Sequence, residues 1–247
     1  MSLLEVKGIT KKFKGVTAIK DLSFSVELGS IVGLIGPNGA GKSTVFDMIS
    51  GIRPPDGSSP LPDYGEILFD GDTLVGMEPF EICKRGVTRT FQITKKIAGM
   101  TVLENIFVAG LFGKADGRKR STLMEEAGRI CEFMELADKK NVTASSLTLI
   151  EQKRLELARA LATRPRLLLL DEVMAGLRPN EIDRVCAIIQ TIRGQGVTLI
   201  VVEHVMRAIM SISDQLVVLD SGKKIAEGAP ADIVNDPLVI EAYLGKD

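Results

Sequence analysis

The chain has 247 residues, and 45% of them are hydrophobic, which is enough for a sizeable buried core and excludes a disordered or fibrous protein. Its 31 basic and 32 acidic residues nearly cancel, so the charge gives no reason to expect nucleic acid as a partner. No apolar run approaches the roughly 20 residues that cross a bilayer, and no secretion signal is visible. A role at a membrane would therefore require this chain to bind another, membrane-spanning subunit.

The first part of the chain predicts strands followed by a helix. Residues 3–9 and 19–26 alternate apolar and polar side chains, which is typical of half-buried strands. Residues 31–35 are almost wholly apolar, as in a central strand that is buried on both faces, and a helix is expected over 42–50. Prolines and glycines make 51–65 a surface loop, and a strand follows at 66–69.

The pattern changes between residues 92 and 146, where apolar residues recur at helical spacing. This spacing is seen at Leu123, Ala127, Ile130, Cys131 and Met134, and it predicts a mostly helical subdomain inserted into an α/β core. The core then resumes, with expected helices at 151–162 and 181–193, strands at 167–170 and 198–202, and a terminal hairpin at 214–226.

A phosphate-binding loop is the first motif that carries chemistry. Residues 36–43 (GPNGAGKS) fit G-x-x-x-x-G-K-[ST] directly after a buried strand and before a helix. Glycines let successive backbone N–H groups face phosphate oxygens, and the helix N-terminus adds partial positive charge. Lys42 would reach the β- and γ-phosphates and the Ser43 hydroxyl would bind Mg²⁺. The alternative is a glycine-rich strand-to-helix turn that binds nothing.

Two adjacent acids follow the apolar run at 167–170. Ligands of parallel α/β sheets lie at the carboxyl ends of strands, so Asp171 and Glu172 are expected beside the glycine loop. Asp171 would hold Mg²⁺, and Glu172 is placed to orient or deprotonate an attacking water. An acidic strand end without a catalytic role is the alternative.

The glutamate directly after the metal-binding aspartate makes the chain resemble the ABC ATPases, and the resemblance extends over nearly the whole length. It implies ATP and Mg²⁺ as cofactors, a Q-loop at Gln92, a D-loop at 175–178 and a switch histidine at His204. Motifs and resemblance together assign nucleotide binding to Phe13, Gly36, Pro37, Asn38, Gly39, Ala40, Gly41, Lys42, Ser43 and Thr44. They assign Mg²⁺ to Ser43, Gln92 and Asp171, and the chemistry to Lys42, Gln92, Glu172 and His204.

The resemblance also implies a fold: a P-loop NTPase (RecA-like) α/β core over 1–92 and 147–247 with an antiparallel β subdomain, and a helical subdomain at 93–146. Three of the assigned residues have simpler alternatives. His204, the single histidine, could be structural, Phe13 could be a packed core residue rather than an adenine-stacking one, and Gln92 could be an exposed loop residue.

One segment departs from the family. Where ABC ATPases carry a Leu-Ser-Gly-Gly-Gln signature that closes over the partner's ATP, residues 147–151 read LTLIE. Thr148 can replace the serine hydroxyl, but Leu149 and Ile150 cannot replace glycines that let the backbone approach the γ-phosphate. We therefore expect a dimer with a second, non-identical ATP-binding subunit, in which the partner's ATP is hydrolysed poorly.

Further stretches are similar to the larger ATPase subunit of bacterial and archaeal branched-chain amino-acid importers: 90–92 (TFQ), 100–105 (MTVLEN), 155–161 (LELARAL) and 236–245 (DPLVIEAYLG). This implies transmembrane permease partners, an indirect solute-binding protein, and a cytoplasmic location on the inner face of the membrane. We expect the permease beside Gln92, near Ile93, Ile97, Met100, Met77 and Phe80. An importer of urea or amides, a non-transport ABC ATPase, a nucleotide sensor and another P-loop enzyme remain as alternatives.

Overall fold

A computed structural model describes residues 1–53, 58–91, 96–113 and 117–244, and two sheets are formed within these ranges. The larger sheet contains six strands among the described residues: β3 (Ile31–Ile35), β6 (Val87–Arg89), β7 (Leu167–Asp171), β8 (Thr198–Val202), β9 (Gln215–Asp220) and β10 (Lys223–Gly228). Their spatial order is β10-β9-β3-β8-β7-β6, and every neighbouring pair is parallel except β9 with β10.

The smaller sheet is antiparallel and lies in the first third of the chain. Its strands are β1 (Ser2–Phe13), β2 (Val16–Glu27), β4 (Tyr64–Phe69) and β5 (Asp72–Thr73), in the order β2-β1-β4-β5. The mixed α/β fold with an antiparallel β subdomain, expected from the sequence, is thereby confirmed.

The helices of the described ranges are α1 (Lys42–Ser50), α2 (Pro79–Arg85), α3 (Val102–Phe112), α4 (Arg120–Phe133), α5 (Leu149–Ala162), α6 (Pro179–Gly194), α7 (Met206–Ile212), α8 (Pro230–Ile233) and α9 (Pro237–Leu244). Across the part of the chain that the structure describes, no helix combines the length and apolar character needed to cross a membrane.

The central strands are buried on both faces, so their side chains feed two separate apolar clusters. Ile31 and Ile35 of β3 join the cluster that contains the buried faces of α5, α6 and α7. Val32 and Leu34 alternate with them and join the cluster that contains α1 and the smaller sheet. This double burial fixes the larger sheet in the middle of the molecule and leaves its strand ends available for chemistry.

The predicted helical stretch contains α3 and α4, which pack on each other and on α5. Thr101 caps α3, since its hydroxyl accepts from the Glu104 N–H while the Glu104 carboxylate accepts from the Thr101 N–H. Leu123, Ala127 and Cys131 on α4 are buried, as their spacing predicts. The boundaries of the inserted subdomain at 93 and 146 stay a prediction.

Several short elements were not predicted. β6 has only three residues, too few for a strand pattern to be recognised, yet it pairs with β7 at the edge of the larger sheet. β5, α2 and the terminal helices α8 and α9 were missed because two to eight residues carry little periodic signal. The edge position of β6 matters because it brings Arg89 to the site.

Candidate nucleotide-binding and catalytic site

Three loops meet at one edge of the larger sheet. β8 lies between β3 and β7 and is parallel to both, with Val32 opposite Ile200 and Leu169 opposite the same Ile200. The carboxyl ends of the three strands therefore lie side by side. The glycine loop follows β3, the two acids lie at the end of β7, and Glu203 with His204 follows β8.

A cavity of about 210 Å³ opens where these loops meet. Its lining consists of Ala18, Asn38, Gly39, Gly41, Lys42, Ser43, Thr44, Glu172 and His204. The structure thus brings together the glycine loop, the second acid and the histidine that sequence reasoning singled out. Ala18, at the end of the small sheet nearest this edge, was not expected.

Other predicted site residues lie outside this cavity. Gly36, Pro37 and Ala40 belong to the loop but do not line the cavity, and neither do Phe13 and Asp171. Phe13 is half-buried at the end of β1, with the Lys11 ammonium 5.3 Å from its ring centroid. Gln92 lies outside the described residues, so its role at the metal and the γ-phosphate stays a prediction.

The glycine loop adopts a backbone conformation that side chains would disrupt. Gly36 has φ +149° and Gly41 has φ +105°. A Cβ atom at Gly36 would lie 2.0 Å from the Leu219 carbonyl oxygen, and one at Gly41 would lie 2.5 Å from the Ile19 side chain. Glycine is required at both positions for steric reasons.

The Lys42 ammonium is held inside this loop. Lys42 is only 6% exposed, and its Nζ donates to the carbonyl oxygens of Gly36, at 2.7 Å, and Pro37, at 3.0 Å. Burial lowers the pKa of Lys42, whereas the charges of Glu172 and Asp171 raise it. The loop therefore carries a desolvated cation that would gain from an anionic partner.

The donor set fits a triphosphate with Mg²⁺. The first N–H groups of a helix lack intrahelical partners, and the first turn of α1 contains no acid that could occupy them. Ser43, exposed in that turn, offers a hydroxyl oxygen, and Asp171 offers a carboxylate, and both are oxygen ligands of the kind that Mg²⁺ takes.

Glu172 and His204 form a direct pair at the mouth of the cavity. His204 Nε2 lies 2.8 Å from Glu172 Oε1, so the imidazole donates to the carboxylate when Nε2 carries a proton. Glu172 has φ +50°, an unfavourable conformation for a residue with a side chain. Its N–H donates to the Val202 carbonyl, and Lys153 Nζ donates to its carbonyl. The strained turn is thus held by contacts from β8 and α5.

Arg89 is a site residue that sequence reasoning missed. Its guanidinium is buried at the end of β6, where it bridges the carboxylates of Asp47 on α1 and Asp171 on β7. Burial raises the pKa of the Asp47 carboxyl, and the hydrogen bond from Arg89 opposes that rise. The arginine therefore holds Asp171 beside the helix of the glycine loop.

Replacing Arg89 with Met should lower the free energy of unfolding by about 3 kcal/mol, because the buried Asp171 and the partly buried Asp47 would lose their shared cation. Urea unfolding of the isolated chain measures this. Arg85→Met is the matched control, since its pair with Asp72 is exposed and should contribute less than about 1 kcal/mol. Equal losses in the two variants would contradict the bridging role.

A second groove, of about 320 Å³, lies beside Phe91, directly before Gln92 in the chain. It is lined by Thr88, Arg89, Phe91, Val108, Ala109, Phe112, Glu156, Arg159, Ala160 and Thr163. Met77, Phe80, Ile97 and Met100 do not line this groove, whose walls are formed by α3 and α5. Gln92 lies outside the described residues, so the permease cleft expected beside it, lined by Ile93, Ile97 and Met100 with Met77 and Phe80 nearby, stays a prediction. Ile93 lies outside the described residues.

The departing signature segment forms the start of α5. Thr148 caps the helix, with its N–H 2.8 Å from the Glu151 carboxylate, which lies in the first turn. Leu149 is 47% exposed, whereas Ile150 packs against the apolar cluster that contains the buried faces of α5, α6 and α7. The N-terminus of α5 therefore presents an exposed leucine and a carboxylate where the family has glycines and an amide.

Comparisons with known proteins agree with this site. A family model described as "ABC transporter" matches residues 19–175, and one described as "Branched-chain amino acid ATP-binding cassette transporter" matches residues 223–247.

Relatives of similar length extend the match over the rest of the chain. The high-affinity branched-chain amino acid transport ATP-binding protein BraF of Pseudomonas aeruginosa is 40% identical, over 99% of this chain and 98% of its own. LivG, the corresponding protein of Salmonella typhimurium, is 38% identical over the same shares. An ATP-binding cassette of an ABC transporter, solved in its ADP conformation, superimposes with a TM-score of 0.88 at 31% identity over the full length of both chains. The chain belongs to the ABC transporter family, among the ATP-binding proteins of branched-chain amino acid transport.

Proposed function

We propose that this chain binds and hydrolyses ATP as the energising subunit of an importer of branched-chain amino acids. The observation that carries the proposal is the cavity that the glycine loop, Glu172 and His204 line together. The names of the relatives supply the transported class.

Each residue of the site has a part in this proposal. The loop N–H groups and Lys42 bind the phosphates, and Phe13 stacks on the adenine. Ser43 and Asp171, together with Gln92, would hold Mg²⁺, which neutralises charge on the phosphate oxygens. Glu172 accepts a proton from the attacking water or orients it, and His204 donates a hydrogen bond to the γ-phosphate as charge develops. The contact between Glu172 and His204 keeps the two groups within reach of one ligand.

A second ATP-binding subunit completes the site by placing its signature segment over the bound ATP. We infer that this partner is non-identical, because α5 of this chain is poorly suited to receive the ATP of its partner. The Glu151 carboxylate opposes the helix dipole that would attract phosphate, and Leu149 keeps the backbone away. A homodimer would contain two such weakened sites.

Replacing Leu149 with Gly should raise ATP turnover of the assembled transporter by about tenfold, since one charged hydrogen bond to the partner's γ-phosphate becomes possible. Turnover is measured at saturating ATP in the complex. Met124→Gly is the control, because it also places glycine at an exposed helical position but lies on α4. An assembled Leu149→Gly complex with wild-type turnover would contradict the asymmetry. Ile150 is unsuitable for this test because it is partly buried against the apolar cluster of α5, α6 and α7, so its replacement would also disturb packing.

The remaining partners follow from the groove beside Phe91. We infer that it receives a segment of a transmembrane permease at the inner face of the membrane, with a solute-binding protein acting through that permease. The Phe91 N–H donates to Glu156 on α5 at 2.6 Å. A permease segment that displaces the groove walls would therefore also move Phe91, the residue directly before Gln92.

Uptake into vesicles that contain the complete transporter tests the proposed function. We expect ATP-dependent accumulation of leucine, isoleucine and valine, together with loss of accumulation when this subunit is omitted. Accumulation of urea or amides in place of these amino acids would overturn the assigned solute class, and ATP hydrolysis without any uptake would overturn the transport role.

A further inference from the structure

Glu203 is a buried carboxylate to which the proposed function gives no part. It follows β8, directly before His204, and is only 3% exposed. Its Oε1 accepts from the Met174 N–H at 2.7 Å, and the backbone N–H of His204 also donates to this carboxylate. A single side chain therefore joins the segment after Glu172 to the loop that carries the histidine.

Lys153 contacts the same segment from α5. It is also 3% exposed, and its Nζ donates to the Glu172 carbonyl at 3.2 Å. The turn from Glu172 to Met174 is thus fixed at both ends, at a carbonyl by Lys153 and at an N–H by Glu203.

The charges around Glu203 make its burial costly. Burial, with a smaller contribution from the Glu172 charge, raises the pKa of Glu203 to about 7, although the two N–H donors and Lys153 act in the opposite direction. Since this value exceeds the usual one for glutamate, Glu203 ionises more readily in the unfolded chain, and the free energy of unfolding falls as the pH rises from about 4.5 to about 7. A leucine here would avoid that cost, but it could not accept from two backbone N–H groups.

We propose that Glu203 is a positioning residue, which holds the side chains of Glu172 and His204 in the relative position that hydrolysis requires. Lys153 connects the turn after Glu172 to α5, the helix that begins at the signature segment. The proposal rests on the proposed function and deepens it. Glu172 has φ +50° and would relax if its anchors were removed. The two anchors, Glu203 and Lys153, are separate from the hydrogen bonds of Lys42, whose Nζ donates to the carbonyls of Gly36 and Pro37. Loss of an anchor should therefore reduce kcat and leave the binding of ATP unchanged.

Two substitutions separate positioning from folding. Glu203→Gln retains an oxygen that accepts from N–H groups, and Glu203→Ala removes it. In the assembled transporter we expect kcat to fall at least tenfold in Glu203→Ala with KM for ATP within twofold, and to stay within about threefold of wild type in Glu203→Gln. Wild-type kcat in Glu203→Ala, or equal losses in both variants, would overturn the proposal. If Glu203→Ala does not assemble, Lys153→Met is measured in its place: reduced kcat at unchanged KM supports the linkage, and wild-type kcat refutes it.

Hydrogen exchange of the isolated full-length chain supplies a readout that needs no ATPase activity. Amides of residues 172–176 should exchange at least tenfold faster in Glu203→Ala than in wild type, and at nearly the wild-type rate in Glu203→Gln. Unchanged exchange in Glu203→Ala overturns the positioning role even in an active transporter. A wild-type complex without ATPase activity but with the expected exchange pattern would instead count against the proposed function.

Discussion

Replacing Glu172 with Gln should reduce ATP hydrolysis by the assembled transporter at least about 100-fold while ATP still binds, because general-base assistance contributes roughly 10²–10⁴ in rate. Glutamine has the size of glutamate and can still accept from His204, whose Nε2 lies 2.8 Å from Glu172 Oε1. It cannot take a proton from water. The substitution leaves the glycine loop and Lys42 unchanged, so binding should persist.

Phosphate release at saturating ATP measures the turnover of this variant, and ATP retention on the purified complex measures its binding. Glu125→Gln is the matched control, since it makes the same chemical change at an exposed position on α4. Turnover above about a tenth of the wild-type value would remove Glu172 from the role of base.

Replacing Lys42 with Ala should weaken ATP binding by at least about 100-fold, since hydrogen bonds to charged groups contribute roughly 1.5–3 kcal/mol each. The ammonium is already desolvated and fixed by the Gly36 and Pro37 carbonyls, so little ordering is needed when phosphate replaces them. The pKa of Lys42 is lowered by burial, and an anionic ligand would favour its charged form.

Titration of the isolated chain with a fluorescent ATP analogue measures this loss, and thermal unfolding verifies that the variant is folded. Lys223→Ala is the control, because this lysine is exposed on β10 at the far edge of the larger sheet. Wild-type affinity in a folded Lys42→Ala chain would contradict binding in the glycine loop.

The site could be predicted largely because its parts follow strands with a strong local signal. β3, β7 and β8 are short apolar runs, and each ends at a polar motif, so the rule that ligands lie at the carboxyl ends of parallel strands joined residues 42, 172 and 204. In the structure β8 lies between β3 and β7, and this order places the three residues at the same edge of the sheet.

What escaped prediction depends on contacts between residues far apart in the chain. Arg89 and Asp171 are 82 residues apart, and the strand that carries Arg89 is too short to be recognised. Glu203 has the appearance of an ordinary loop acid, and only the tertiary structure shows that it is buried against the Met174 N–H. Lys153 lies on α5, the helix that begins at the signature segment, and its contact with the Glu172 carbonyl has no local sequence signal.

Charge burial is a shared feature of these unpredicted contacts. Arg89, Lys153 and Glu203 are nearly inaccessible to solvent. Arg89 holds Asp171, Lys153 holds Glu172, and Glu203 holds the loop of His204. Removing one partner from such a buried set is costlier than removing an exposed pair, because the remaining charge stays desolvated. We therefore expect substitutions at these buried charged residues to disturb the catalytic geometry more than substitutions at exposed residues around the cavity.

A structure of the Glu172→Gln transporter with Mg²⁺ and ATP is the most direct test of the central claim. We expect a γ-phosphate within about 3 Å of both Lys42 Nζ and the His204 imidazole, with the partner's signature segment closing the opposite side. A triphosphate bound away from the glycine loop, or a His204 side chain without contact to it, would contradict the claim.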